Sequence, residues 1–167
     1  MPAKHPILLP RLVAAALMLS VASIAPSPVP AAGSSDGGSR YDSSSAASKT
    51  VSKANKAIKD NDFAAAYTIL EDGLGSEPDN ADIHNLLGFS ARKMGRYEDS
   101  MRHYRTALAL DPKHKGALEY MGELYLTLNQ PDEARALLQR LDDICWLGCS
   151  EERELKAAIE AWEAANG

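Results

Sequence analysis

Cys145 and Cys149 are the only two cysteines of the chain, and just Trp146, Leu147 and Gly148 stand between them. In an oxidising compartment an even pair this close is most simply a disulfide, and Gly148 permits the bend that so short a loop needs. The chain-entropy account gives such a bridge only about 2 kcal/mol, so its task would be local, pinning the segment before it to the segment after it. Two sharper chemistries would use the same atoms. A thiol at Cys149, near a helix start, would gain thiolate character and could exchange disulfides, although the spacing lacks the two-residue gap of thioredoxin-like motifs. Two thiolates could also hold zinc or copper, but His84, His103 and His114 are not at ligand spacing from them.

The remaining polar residues suggest no reaction. His84 is expected in the packing between two helices, His103 in solvent and His114 near a helix start. No Ser/His/Asp order, carboxylate pair or phosphate loop stands out. Gly75-Ser76 and Gly37-Gly38 lack the flanking residues a phosphate loop requires. The expectation is therefore a chain with no catalytic residue, no metal site and no cofactor.

What positions these residues is a repeat. Pro78 and Pro112 are 34 residues apart, and so are Gly88 and Gly122. A fixed period of this length marks stacked supersecondary units. In residues 81–114, Leu87, Gly88 and Ala91 share one face of a first helix, and Ser100, Tyr104 and Ala107 share one face of a second. Gly88 and Ser100 let the two backbones approach, Tyr104 fills the volume beside them, the turn falls at Gly95-Arg96, and Pro112 ends the second helix.

Leu87, Gly88, Tyr97, Tyr104, Ala107 and Pro112 resemble the tetratricopeptide repeat pattern, with Ser100 in place of an Ala and His84 in place of the usual Trp. The resemblance implies an all-α, right-handed superhelical solenoid of helix-turn-helix repeats, and a protein-binding role. Projected backwards, the same register places Ala54, Phe63, Ala66, Leu70 and Pro78, with Gly73 a poor fit. Asp79 or Asn80 is then the cap of the next helix. Projected forwards, it places Met121, Gly122, Tyr125, Ala134, Leu138 and Leu141, with Pro131 opening a helix. About three repeats are expected, at roughly 47–80, 81–114 and 115–148. A last helix over residues 149–167, with Ser150 as N-cap, Glu151 and Glu152 in its first turn and an apolar stripe of Leu155, Ile159 and Trp162, should cap the array. Residues 141–162 also resemble the tail of small exported bacterial tetratricopeptide proteins, in which such a Cys pair precedes an acidic helix.

Composition agrees with a soluble helical core: 167 residues, 45% hydrophobic and 25% charged. The formal charge of −5 would fall to about −7 if Lys4 and Arg11 left with a leader, and no basic stripe is available for nucleic acid. That leader is expected at residues 1–31. A basic start precedes an apolar run over 12–25, too short for a comfortable membrane span, and small residues follow at Ala31-Ala32. Residues 32–48, rich in Gly and Ser, are expected to be a disordered tether.

The surface left for function is the concave face, where this register puts Asn55, Lys59, Asn85, Phe89, Arg92, Glu119, Glu123 and Leu126. Phe89 beside Arg92 is the expected anchor. Some relatives clamp a partner's terminal carboxylate with Lys and Asn. Asn55 fits that arrangement, but Val51 and Leu86 stand where a Lys and a second Asn are needed. The expectation is an exported, periplasmic or secreted, noncatalytic scaffold that binds a peptide or helix of an envelope protein. The alternative is an envelope assembly factor using Cys145 and Cys149 for thiol or metal chemistry.

Overall fold

A computed structural model describes residues 43–166, and the leader expected at 1–31 lies outside them. Seven helices occupy the described residues: α1 Ser43–Lys59, α2 Phe63–Leu74, α3 Ala81–Lys93, α4 Tyr97–Leu110, α5 Lys115–Thr127, α6 Pro131–Ile144 and α7 Ser150–Asn166. α1 reaches back to Ser43, into the stretch expected to be a tether. Ala46 and Ala47 lie in that part of the helix, and alanine carries the highest intrinsic helix propensity.

Helices α1 to α6 form three pairs stacked in order, a helical-repeat solenoid. Each pair turns by the same device. Asn61, Gly95 and Asn129, successively 34 residues apart, have φ of 59°, 75° and 59°. One residue later, the amides of Asp62, Arg96 and Gln130 each donate to the carbonyl of Ala57, Ala91 and Tyr125 at 2.8 Å. A left-handed residue followed by this backward bond is the Schellman stop, which Gly and Asn adopt most cheaply. Starts are equally local. Asp62 accepts from Ala65 N at 2.9 Å, Asn80 from Ile83 N at 3.1 Å and the His114 ring from Ala117 N at 3.1 Å, while Pro131 stands at the start of α6. Ser150 differs: its hydroxyl donates to the Glu151 carboxylate at 3.0 Å rather than capping a backbone amide.

Close approach explains the glycines. A Cβ on Gly88 would lie 2.6 Å from the Tyr104 ring, and the Gly88 carbonyl accepts the Ser100 hydroxyl at 2.7 Å. Gly73, which the repeat pattern left unexplained, is buried in α2 where a Cβ would come within 2.5 Å of Thr50 of α1. Gly122 faces Leu155 of α7 rather than the second helix of its own pair.

Two apolar clusters hold the stack. Ala54, Tyr67, Leu70, Ile83, Leu87 and Ala91 form the first, over α1 to α3. The second gathers Tyr104, Leu118, Met121, Leu124, Leu137 and Leu141 with Leu155 and Ile159 of α7, so α7 closes the end of the core as a capping helix must. Trp162 is only partly buried against it. No described helix is long and apolar enough to cross a membrane.

Candidate functional site

First helices lie beside one another, α1 next to α3 and α3 next to α5. Three rings cross them in series. Phe89 of α3 meets Phe63, the first residue of α2, edge-on at 6.1 Å between centroids, and meets Tyr120 of α5 at 4.9 Å. All three are partly buried, leaving ring surface open to solvent. Lys93 Nζ stands 5.3 Å from the Phe89 centroid and the Arg92 guanidinium 5.7 Å, both within cation–π range. Phe63 and Tyr120 were not among the expected site residues. Tyr120 follows Glu119 in sequence and shares a helix face with Glu123, which was the available signal.

Arg92 has a second commitment. Its Nη2 donates to Glu123 at 2.5 Å, with side-chain exposures of 12% and 29%, so the pair ties α3 to α5 instead of standing free for a ligand. Glu119, expected on the groove, is only 3% exposed. Burial and then the neighbouring Glu154 carboxyl, which shares a hydrogen bond with it, push its pKa up to about 8. It is therefore neutral at physiological pH, held between α5 and α7. Leu126, also expected there, belongs to the second apolar cluster. It was misplaced because the face that α6 and α7 cover cannot be read from α5 alone. Asn85 is 7% exposed, and its Oδ1 has no hydrogen-bond partner among the described residues. Asn55 and Lys59 line a separate shallow cleft with Val51, Ser52 and Lys56, all from α1. The structure thus brings together Phe89, Arg92 and Glu123, and leaves Asn55 and Lys59 apart from them.

The histidines form a chain that the sequence did not reveal. His103, expected in solvent, is 8% exposed. Pro78 O lies 3.0 Å from His84 Nε2, and a carbonyl only accepts, so Nε2 carries the proton. His84 Nδ1 shares a hydrogen bond with His103 Nδ1, 3.2 Å away, and His103 Nε2 shares one with the Tyr67 hydroxyl at 3.3 Å. Arg96 donates to the same phenol oxygen at 3.5 Å and stacks its guanidinium 4.4 Å from the ring centroid. Burial first, then the Arg102 charge, lowers the His103 pKa to about 4, so this imidazole is neutral at neutral pH.

Cys145 and Cys149 have sulfurs at bonding distance and Cα atoms 5.6 Å apart. Cys145 is buried in the second cluster. Gly148, at φ 79°, makes the bend and donates from its amide to Cys145 O at 2.5 Å. No group of three or more metal-ligating side chains occurs among the described residues.

Comparison with known proteins agrees with this geometry. Residues 91–144 match the family described as tetratricopeptide repeat. A curated relative, protein O-mannosyl-transferase TMTC1 of Homo sapiens, is 33% identical over 70 residues, which are 41% of this chain and 8% of that protein. The chain thus spans less than a tenth of that relative. Among solved structures, the first tetratricopeptide domain of Spaghetti (RPAP3), bound to the HSP90 peptide SRMEEVD, superposes with a TM-score of 0.61 at 19% identity, covering 72% of this chain and 94% of that one. The Sgt2 domain of Aspergillus fumigatus gives 0.62 at 20% identity, over 71% and 80%. The translocator chaperone SycD of Yersinia enterocolitica gives 0.61 at 16% identity, over 71% and 92%. The family match and these folds support a tetratricopeptide repeat protein.

Proposed function

We propose that this chain is a noncatalytic interaction module that takes a peptide or helix of another protein along the face where α1, α3 and α5 adjoin. The observation that carries this reading is the ring series Phe63, Phe89 and Tyr120. Aromatic side chains drawn from three consecutive helix pairs, stiffened by mutual contact and left partly open, offer apolar contact area at little further entropic cost. Lys93 beside them adds a positive charge that suits an acidic or C-terminal segment. The HSP90 peptide in the similar Spaghetti domain supports a peptide as the class of ligand.

Export is part of the proposal. The basic and apolar start of the sequence supports a cleaved leader, the close cysteine pair suits an oxidising periplasm, and an envelope protein is then the partner. The cysteine pair serves in this reading as a structural disulfide that anchors the start of α7.

A photo-crosslinker at Lys93, compared with one at Thr68 on the exposed side of α2, tests the surface in cells. Covalent adducts should form from Lys93 and disappear with Phe89→Ala and Tyr120→Ala together. Equal yield from Thr68 would refute the reading. N-terminal sequencing of the exported protein should find a start near Ala32, and retention of residues 1–25 in membrane pellets would refute cleavage.

A further inference from the structure

Trp146 and Leu147 are the most exposed large apolar side chains among the described residues, 83% and 80% accessible, and they adjoin at the tip of the loop between α6 and α7. Single exposed apolar side chains are ordinary; two side by side on a loop tied at both ends are a surface feature that wants a partner. The loop keeps its shape through the Cys145–Cys149 pair and the Gly148 amide bond to Cys145 O, so little conformational freedom remains to be lost on contact. The sequence on either side is acidic: over residues 142–154, Asp142 and Asp143 precede the tip and Glu151, Glu152 and Glu154 follow, against Arg153, while Lys115 of α5 lies near Glu151. Carboxylates flanking an indole and an isobutyl group disfavour anionic lipid and nucleic acid and suit an apolar slot with a basic rim.

The chain carries such a slot. On α4, Ser100, His103, Tyr104 and Ala107 are buried, three of them against α3, so the opposite flank faces away. There Tyr97, Met101, Tyr125 and Leu128 line an open groove of about 690 Å³ together with Arg102 and Arg105. Leu128 is 38% exposed. Glu98 is the single carboxylate of the lining. Arg102 is held by Asp99 at 2.8 Å, whereas Arg105 makes no ion pair among the described residues. The groove has the size of clefts that enclose small ligands and has room for both side chains of the tip. The exposure of Trp146 shows that the tip does not fill the groove of its own copy.

We propose that the Trp146–Leu147 tip of one copy docks in the arginine-rimmed α4 groove of a second copy. The contact is heterologous, since each copy keeps one free tip and one free groove. Association therefore grows into a ring or an open chain rather than stopping at a two-fold dimer. A contact this small is weak, and it acts where copies are concentrated or held side by side on a common partner. It uses a surface apart from the aromatic row, so it stands or falls independently of peptide binding there.

Sedimentation velocity of the full chain over a wide concentration series tests it, with two variants. Trp146→Ala with Leu147→Ala removes the tip; Arg105→Glu with Leu128→Glu closes the groove. All four side chains are exposed, so helical content and unfolding midpoint serve as fold controls. The wild-type sedimentation coefficient should rise with concentration, and each variant alone should weaken association at least about tenfold. Mixing the two variants should restore a one-to-one complex and nothing larger, because a single intact tip then meets a single intact groove. A wild type that stays monomeric, association that survives in either variant, or mixed variants that fail to pair would each overturn the proposal. Survival in both variants would place the contact on residues 1–42 or on the aromatic row.

Discussion

Glu119 and His103 are buried ionisable residues held neutral by their surroundings, and each gives the protein a pH dependence of its own. The Glu119 pKa is raised to about 8 in the fold. Between the ordinary carboxylate pKa and that value the folded chain holds a proton the unfolded chain releases, so stability falls as pH rises through this window. Glu119→Gln keeps a hydrogen-bonding group for Glu154 without the ionisation. It should raise the unfolding free energy read from urea titrations at neutral and alkaline pH, by about 1 to 3 kcal/mol, and change little in acid. His103 works in the other direction. Its pKa is lowered to about 4, so stability is fully present above the ordinary histidine value and is lost as pH falls from there toward about 4. A denaturation series from neutral to acid should show this limb, and His103→Gln should flatten it. Phe89→Ala belongs at the same scale. The side chain touches Phe63 and Tyr120, so its loss should cost about 1 kcal/mol of stability, readable as a lowered midpoint, and should weaken ligand binding by a similar amount.

Between elements, two glycines at the same repeat position meet different neighbours. The Cβ of Gly88→Ala would press on the ring of Tyr104, fully buried and unable to swing away. That strain outweighs the better helix propensity of alanine, and the variant should be less stable by about 1 to 3 kcal/mol. The Cβ of Gly122→Ala would meet both methyls and Cγ of Leu155, fully buried but carried by α7, the last helix of the array. A shift of α7 relieves part of the overlap and the propensity gain of about 1 kcal/mol offsets more, so the loss should be smaller than that of Gly88→Ala. Thermal unfolding of the two proteins compares them directly. Equal losses would mean that α7 is as rigidly seated as the α3–α4 pair.

For the whole molecule, the array ends where α7 covers it. Leu155 is fully buried and Ile159 nearly so against Leu118, Met121 and Leu124. Ending the chain before Ser150 strips this cover, while the first apolar cluster, over α1 to α3, keeps all its members. In a linear stack each unit is held by its neighbours alone. The truncated protein should therefore lose cooperativity unevenly: amide exchange in α5 and α6 accelerates strongly and that in α2 and α3 little, with new binding of a hydrophobic dye. Uniform acceleration would show one folding unit instead.

The period of 34 residues, with Asn61, Gly95 and Asn129 on the same repeat position, determined by itself where the helix pairs turn, although α1 starts earlier than the period implies. Those turns depend on backbone angles and on bonds spanning no more than about six residues, which neighbouring side chains encode directly. The aromatic at Phe89 was likewise legible as a side chain that the repeat's own packing does not consume. Tertiary structure decided which polar and apolar faces are covered. Glu119 is neutral because α7 lies over it, Gly73 is required because α1 passes beside it, and His103 is buried because Tyr67 and His84 close over it. Each of these partners is 19 to 36 residues away in the chain, beyond the reach of helical periodicity. Burial is the sum of what several helices bring to one place, and no single helix carries that sum in its own pattern.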